Sequence, residues 1–233
     1  MLLPAPLFEG ELIKRYKRFL ADIRLASDEV ITAHCANPGA MTGLKTPGMK
    51  VWVSKSDNPK RKLKFSLELV EADGTLVGIN TSYPNTIAYD AISNGQVAEL
   101  TGYDTIRREV KYGSNSRVDL LLEKSSAPPC YVEVKNVHLM RTPGVAEFPD
   151  SVTARGAKHL VELSDMVKSG ARAVMLFIVQ RADCRFFQTA GDIDPKYHEG
   201  LQEAASHGVE VLCYACDLTL KDISLSHALN WAR

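Results

Sequence analysis

The sequence predicts a two-domain chain of mixed α/β (α+β) class, with a small N-terminal β-barrel and a C-terminal mixed sheet flanked by helices. Three observations predict it. Short strands with alternating apolar residues run from Leu7 to Thr81, longer β and α segments follow, and the texture changes at Tyr83-Pro84. The 233 residues suffice for two small domains. Residues 1–82 are assigned to the first and 83–233 to the second.

In the first domain Phe19, Ala21, Ile23 and Leu25 alternate with Leu20, Asp22 and Arg24, Val51 and Val53 flank Trp52, and Phe65, Leu67 and Leu69 repeat the pattern. Period-two spacing puts each set on one buried face. Turns are signalled at Asn37-Pro38-Gly39, Thr46-Pro47-Gly48, Asn58-Pro59 and Asp73-Gly74, the last a hairpin. An OB-fold-like barrel is one common solution for strands this short, and an SH3-like barrel would read the same way.

In the second domain the pattern predicts a helix from Asn85 to Leu100, then strands over Ile106–Tyr112, Arg117–Leu122 and Tyr131–Val137. A helix follows from Val152 to Lys168, N-capped by Ser151, and then a buried strand from Ala173 to Val179. Asp194-Pro195 opens the last helix, Gly208 closes it, and a strand runs over Val209–Tyr214.

Composition excludes several function classes. The 28 Lys+Arg balance the 28 Asp+Glu, which argues against a polycation that coats nucleic acid and against an acidic tail. Neither a leader nor a stretch of ~20 apolar residues is visible. Five cysteines without a framework fit a reducing compartment. The expectation is a cytoplasmic chain with no membrane partner, and a homo-oligomer is compatible with this reading.

The total conceals a partition: residues 1–82 carry 12 Lys+Arg against 9 Asp+Glu, and residues 83–233 carry 16 against 19. The surplus clusters at Lys14-Arg15-Tyr16-Lys17-Arg18 and in the Lys55–Lys64 stretch, which holds Lys60, Arg61 and Lys62. With Tyr16 and Trp52 interleaved, such clusters on a small barrel make a nucleic-acid surface, where cations follow phosphates and rings stack on bases. Phe19 belongs to the alternating buried set and is left out. Solvated loops around core aromatics would give the same text.

The chemistry-bearing passage is Arg117-Val118-Asp119, followed by Tyr131-Val132-Glu133-Val134-Lys135-Asn136. Glu133 and Lys135 share one face of a strand, and a hairpin would bring Asp119 beside Glu133. Two carboxylates and an amine at one point suit Mg²⁺ (or Mn²⁺), which takes one or two carboxylates and keeps several waters. Phosphodiester hydrolysis is the natural reaction, with Lys135 orienting water or stabilising developing charge. Glu109 and Glu99 are additional candidate acids. Arg155, Lys158, His159 and Glu162 follow on a helix, where Arg155 and Lys158 are candidate phosphate contacts and His159 reads as a hydrogen-bonded structural residue. The bland alternative is a solvated sheet face.

These residues resemble the PD-(D/E)xK nuclease superfamily, with Val118 in place of the motif's Pro. The wider text is similar to the sugar fermentation stimulation protein (SfsA) family. It includes Asn37-Pro38-Gly39-Ala40-Met41, Glu133-Val134-Lys135-Asn136-Val137, Phe148-Pro149-Asp150 and Arg155-Gly156-Ala157-Lys158-His159-Leu160. The resemblance implies an N-terminal OB-fold-like domain, a restriction-endonuclease-like C-terminal domain, and binding of double- or single-stranded DNA without marked sequence preference. It also implies a regulatory role in maltose metabolism, and it carries the catalytic and metal-binding roles to Asp119, Glu133 and Lys135. A DNA-binding factor without catalysis is the main alternative; a small-phosphodiester hydrolase or a scaffold is a third. Cys213-Tyr214-Ala215-Cys216 has no second ligand pair to make a zinc site, and His34-Cys35 lacks a third group for catalysis.

Overall fold

A computed structural model describes residues 1–113 and 116–232. The barrel is built from β1 (Leu7–Tyr16), β2 (Leu20–Leu25), β3 (Val30–Cys35), β4 (Lys50–Lys55), β5 (Phe65–Ala72) and β6 (Thr75–Gly78). Their order is β3-β2-β1-β4-β5-β6, and a parallel β3–β5 pairing closes five of them into a barrel. Ala21, Ile23, Val51, Val53 and Leu67 point inward and are buried, as their spacing predicts. At the Asp73-Gly74 hairpin both residues are left-handed (φ 54° and 75°), which suits the twist of the flanking strands. Two aromatic expectations are corrected. Phe19 is 44% exposed because it lies in the turn before β2, outside the alternating run. Trp52 is 4% exposed, buried with Leu3 and Leu69 against the second domain's core, so its ring cannot stack on a base.

The second domain contains α1 (Pro84–Ser93), a short 3₁₀ turn (Ala98–Leu100), β7 (Thr105–Tyr112), β8 (Ser116–Lys124), β9 (Ala127–Val137), β10 (Leu139–Thr142) and β11 (Val145–Phe148). There follow α2 (Ala154–Lys168), β12 (Arg172–Val179), β13 (Phe186–Thr189), α3 (Pro195–Ser206), β14 (Glu210–Leu218), β15 (Ile223–Ala228) and β16 (Asn230–Trp231). Among the described residues the main sheet runs β15-β14-β12-β9-β8-β7, and a smaller one runs β10-β11-β13-β16. Helix α1 covers one face of the main sheet; α2 and α3 cover the other. Strand β12 is buried from Ala173 to Val179, hence its continuous apolar run.

Helix ends differ from the sequence expectation for local reasons. The first helix stops at Ser93 because Gly95 turns left-handed (φ 70°). The N-cap of α2 is Thr153, not Ser151; its hydroxyl accepts from Gly156 N at 3.0 Å. Asp194 caps α3 by accepting from Tyr197 N (3.1 Å), and its other oxygen accepts from Thr153 N (2.7 Å), tying the starts of both helices together.

The domains are joined by buried polar contacts. Gly78 N donates to Gln180 O (2.9 Å), and the fully buried Arg181 spans Asp73 of the barrel (3.0 Å) and Asp183 (2.6 Å). Residues 1–3 pack on the second domain: Leu2 bridges to Asp222, and the Met1 amine donates to Ile223 O at 2.9 Å.

Candidate metal and nucleic-acid site

The site grows from an irregularity at one end of the β8–β9 hairpin. The ladder runs through Leu121–Tyr131 and Leu120–Val132 and ends there. Val118 packs with Tyr112 and Leu121 under α2, whereas Leu120 faces the α1 side. The two-residue alternation therefore breaks at Asp119. Its carboxylate turns into the gap between the strands, where Oδ2 accepts from Val134 N and Oδ1 from Asn85 Nδ2, both at 2.7 Å. Glu109 falls between the pairs Arg108–Leu120 and Val110–Val118, opposite Asp119, and has φ 54°. Irregularities of this kind re-aim side chains beside functional sites.

Glu133 lies on the α2 face of β9 and is 2% exposed. Its Oε1 meets both Lys135 Nζ (2.6 Å) and His159 Nδ1; Lys135 Nζ is also 3.2 Å from His159 Nδ1. Its Oε2 is buried with no hydrogen-bond partner among the described residues. On α2, Arg155 Nε donates to His159 Nε2 (3.3 Å), and Lys158 reaches Ser116 Oγ (3.1 Å) and Glu162 (3.4 Å). A hollow of about 370 Å³ beside them is lined by Glu109, Ser116, Arg117, Arg155, Lys158 and His159.

The two carboxylates are shifted in opposite directions. Burial, and then the Glu133 charge, push the Asp119 carboxyl up to about 6. Burial also opposes ionisation of Glu133, but the His159 hydrogen bond and the Lys135 charge outweigh it and hold the group below its ordinary value. The structure thus brings Asp119, Glu133, Lys135, Glu109, Arg155 and Lys158 to one region. It does not bring Glu99, which accepts from Tyr214 OH (2.7 Å) on the α1 face of the sheet.

A second cleft, of about 410 Å³, opens between the domains and reaches Lys135. Arg18, Asn37 and Gly39 line it from the barrel, and Asn136, Asp150 and Arg155 from the second domain. The basic turn is largely self-bound. Arg15 Nη2 donates to the carbonyls of Arg18 (2.7 Å), Asn37 (2.7 Å) and Gly39 (3.0 Å), so Arg15 shapes the loop. Arg18 donates to Pro38 O, Lys14 faces Asp22 (3.5 Å), Tyr16 OH donates to Asp22, and Lys17 is exposed. The Lys60, Arg61 and Lys62 loop precedes β5, which joins β3 at Ala33 and runs parallel to it; this puts the loop on the side away from Asn37–Gly39. Arg61 there donates to Ser66 Oγ (2.9 Å).

Sequence reasoning passed over Asn85 and Asp150. Asp150 Oδ2 accepts from Met41 N (3.0 Å) and lies 3.2 Å from His138 Nε2; its carboxylate fills the space a Cβ on Gly39 would need, 2.3 Å away. The quoted Asn37-Pro38-Gly39 and Phe148-Pro149-Asp150 segments were the available signal: they meet. Cys213 and Cys216 face opposite sides of the sheet, so the pair cannot grip one metal.

Residues 82–222 match the sugar fermentation stimulation protein RE domain, and residues 13–79 match the SfsA N-terminal OB domain. The chain belongs to the sugar fermentation stimulation protein family. A family member from Maricaulis maris, described as a sugar fermentation stimulation protein homolog, is 63% identical over 94% of this chain and 93% of its own. A homolog from Paramagnetospirillum magneticum is 57% identical over 99% and 97%. In three dimensions the chain is similar to SfsA of Pyrococcus furiosus, solved in complex with Ca²⁺, with a TM-score of 0.89, 28% identity and coverage of 100% and 98%. The mixed sheets thus correspond to the family's RE domain and the five-stranded barrel to its OB domain. Among the described residues no helix is long and apolar enough to cross a membrane.

Proposed function

We propose that the chain is a cytoplasmic DNA-binding protein without marked sequence preference whose Asp119, Glu133 and Lys135 form a Mg²⁺-dependent phosphodiesterase site. The observation that carries this reading is the buried Glu133 Oε2, without a hydrogen-bond partner among the described residues, beside an Asp119 carboxyl held up to about 6. A divalent cation would relieve both. Among the described residues no three His, Cys, Asp or Glu converge as a metal cluster, so the protein would supply two carboxylates and leave the remaining positions to water and phosphate oxygen. That donor set is the one Mg²⁺ favours. The Ca²⁺ held by the Pyrococcus furiosus relative is a hard, oxygen-seeking cation of the same kind.

When bound, such a cation polarises the scissile phosphate and lowers the pKa of water. The chain's own residues would do the rest. Lys135 Nζ, anchored on Glu133, places a positive charge where negative charge develops on the phosphate. His159 fixes Glu133 and Lys135 from α2, and Arg155 and Lys158 offer cations to the strand's phosphates. The family's name ties it to sugar fermentation, and regulation of maltose metabolism through DNA binding is part of this reading.

The test is incubation of the purified chain with plasmid DNA and Mg²⁺ or Mn²⁺. Nicking that disappears in Asp119→Ala is expected; nicking unchanged by that substitution would sink the assignment. A second reading, a DNA-binding regulator without catalysis, is favoured by Glu133 Oε1 already being shared by His159 and Lys135. It predicts salt-sensitive binding that survives Glu133→Ala, with no cleavage by the unaltered chain.

A further inference from the structure

The barrel turn between β1 and β2 holds features that the carboxylate site does not use. Lys17 (φ 48°) and Arg18 (φ 64°) are both left-handed without being glycine, a conformation that persists only when its surroundings enforce it. Arg15 enforces it by bonding to Arg18 O. The Arg18 guanidinium is then held against Pro38 O by Nε (3.1 Å) and Nη2 (3.0 Å), while its Nη1 has no partner among the described residues. Beside it Phe19, 44% exposed, stacks on His34 with ring centroids 6.4 Å apart and planes 16° apart. A partly exposed ring stacked on a half-buried imidazole, next to a positioned cation, is the kind of surface on which a base stacks.

The turn opens onto the interdomain cleft. Arg18 lines that cleft from the barrel, and Lys135 and Arg155 line it from the second domain. One end is shut where Met41 N bonds to Asp150 and Gly39 abuts the same carboxylate. Its volume, about 410 Å³, is in the range of a site for one small molecule or one nucleotide. A cleft of that volume cannot enclose a duplex, in which every base pair already brings two nucleotides.

We propose that the Phe19–His34 rings and the interdomain cleft together form a path for single-stranded DNA. A base stacks on Phe19, the adjoining phosphate meets Arg18, and the next nucleotide lies in the cleft between Arg155 and Lys135, at the carboxylates. The substrate class is therefore a single strand or a single-stranded end, with the intact duplex excluded from the cleft. The inference rests on the DNA-binding reading above and adds the strand state and the base-stacking residue. Stacking on an aromatic side chain accepts any base, which agrees with binding that is indifferent to sequence.

The test uses the full chain without divalent cation, so that no cleavage intervenes. Fluorescence anisotropy is recorded with a labelled single-stranded oligonucleotide and with the duplex of the same sequence. The single strand is expected to bind about tenfold tighter or more. Phe19→Ala should weaken single-strand binding by roughly 5- to 100-fold, the range that loss of one stacked base implies. Phe19→Trp should bind like the unaltered chain, with an indole emission quenched by the single strand. Phe19 lies in a turn outside the barrel core, and unchanged melting of both variants would confirm that they fold. Duplex binding as tight as single-strand binding, or full affinity in Phe19→Ala, would overturn the proposal and leave the DNA-binding reading standing. Failure of both DNAs to bind at low salt would remove that reading and the proposal with it.

Discussion

Asp119 and Asp150 are both half-buried carboxylates of the second domain, and they are treated in opposite ways. Asp119 has Asn85 and Val134 N as donors, but it sits beside a second carboxylate, and burial and that neighbour push it up to about 6. Asp150 is partly desolvated too, yet the His138 hydrogen bond and charge, Met41 N and Ser151 outweigh that desolvation and carry it down to about 2. The same side chain is left electrostatically frustrated in one place and satisfied in the other. On the proposed metal-site reading, the difference separates a group that would take a cation from a group that fastens two domains together.

The largest expected effect is on chemistry. Asp119→Ala should lower Mg²⁺-dependent DNA cleavage by ~10²–10³-fold or more, since a bound cation contributes several kcal/mol to the transition state. Asp150→Ala, measured in the same plasmid assay after confirming folding, should retain a far larger share of the activity. If both fall equally, the comparison breaks.

Stability should show the converse. Asp150→Ala removes the partner of His138 and the acceptor of Met41 N, and should cost about 2–4 kcal/mol in urea denaturation. Gly39→Ala, whose Cβ would collide with Asp150, should reproduce about 1–3 kcal/mol of that loss through overpacking.

The pH dependences run in opposite directions. Between 3.8 and about 6 the folded chain retains the Asp119 proton that the unfolded chain has released, so stability falls as pH rises through that window. Asp119→Asn should therefore stabilise the protein at pH 8, by at most about 3 kcal/mol, with the gain fading towards pH 4. For Asp150 the unfolded chain holds the proton between about 2 and 3.8, so its contribution is complete above that window and is lost as pH falls through it. Melting curves from pH 3 to 8 test both signs. The smallest effect is expected at Lys62, exposed on the loop directed away from the cleft: Lys62→Ala should change DNA affinity by about twofold or less.

Much of this was legible in the sequence, for reasons of local pattern. Strict alternation in β2, the apolar run of β12 and the Asp194-Pro195 helix start each carry their own physics, and the structure has them where the pattern puts them. Glu133 and Lys135 share a face because a strand has period two. What was not legible depends on contacts distant in sequence or on single backbone irregularities. The irregularity that turns Asp119 into the strand gap has no residue signature, since neither Glu109 nor Asp119 is a glycine. Phe19 joins the apolar alternation in text, yet the turn ends one residue before β2 begins and leaves it outside. Trp52 reads as a surface ring between two core valines, but the second domain covers it. Asp150 acquires its role only when Gly39, 111 positions earlier in the chain, is brought against it.

Calorimetric titration of Mg²⁺, and in parallel Ca²⁺, into the unaltered chain, Asp119→Asn and Asp150→Asn tests the central claim most directly. The account predicts saturable cation binding to the unaltered chain that Asp119→Asn abolishes and Asp150→Asn retains. Binding that persists undiminished in Asp119→Asn would contradict it.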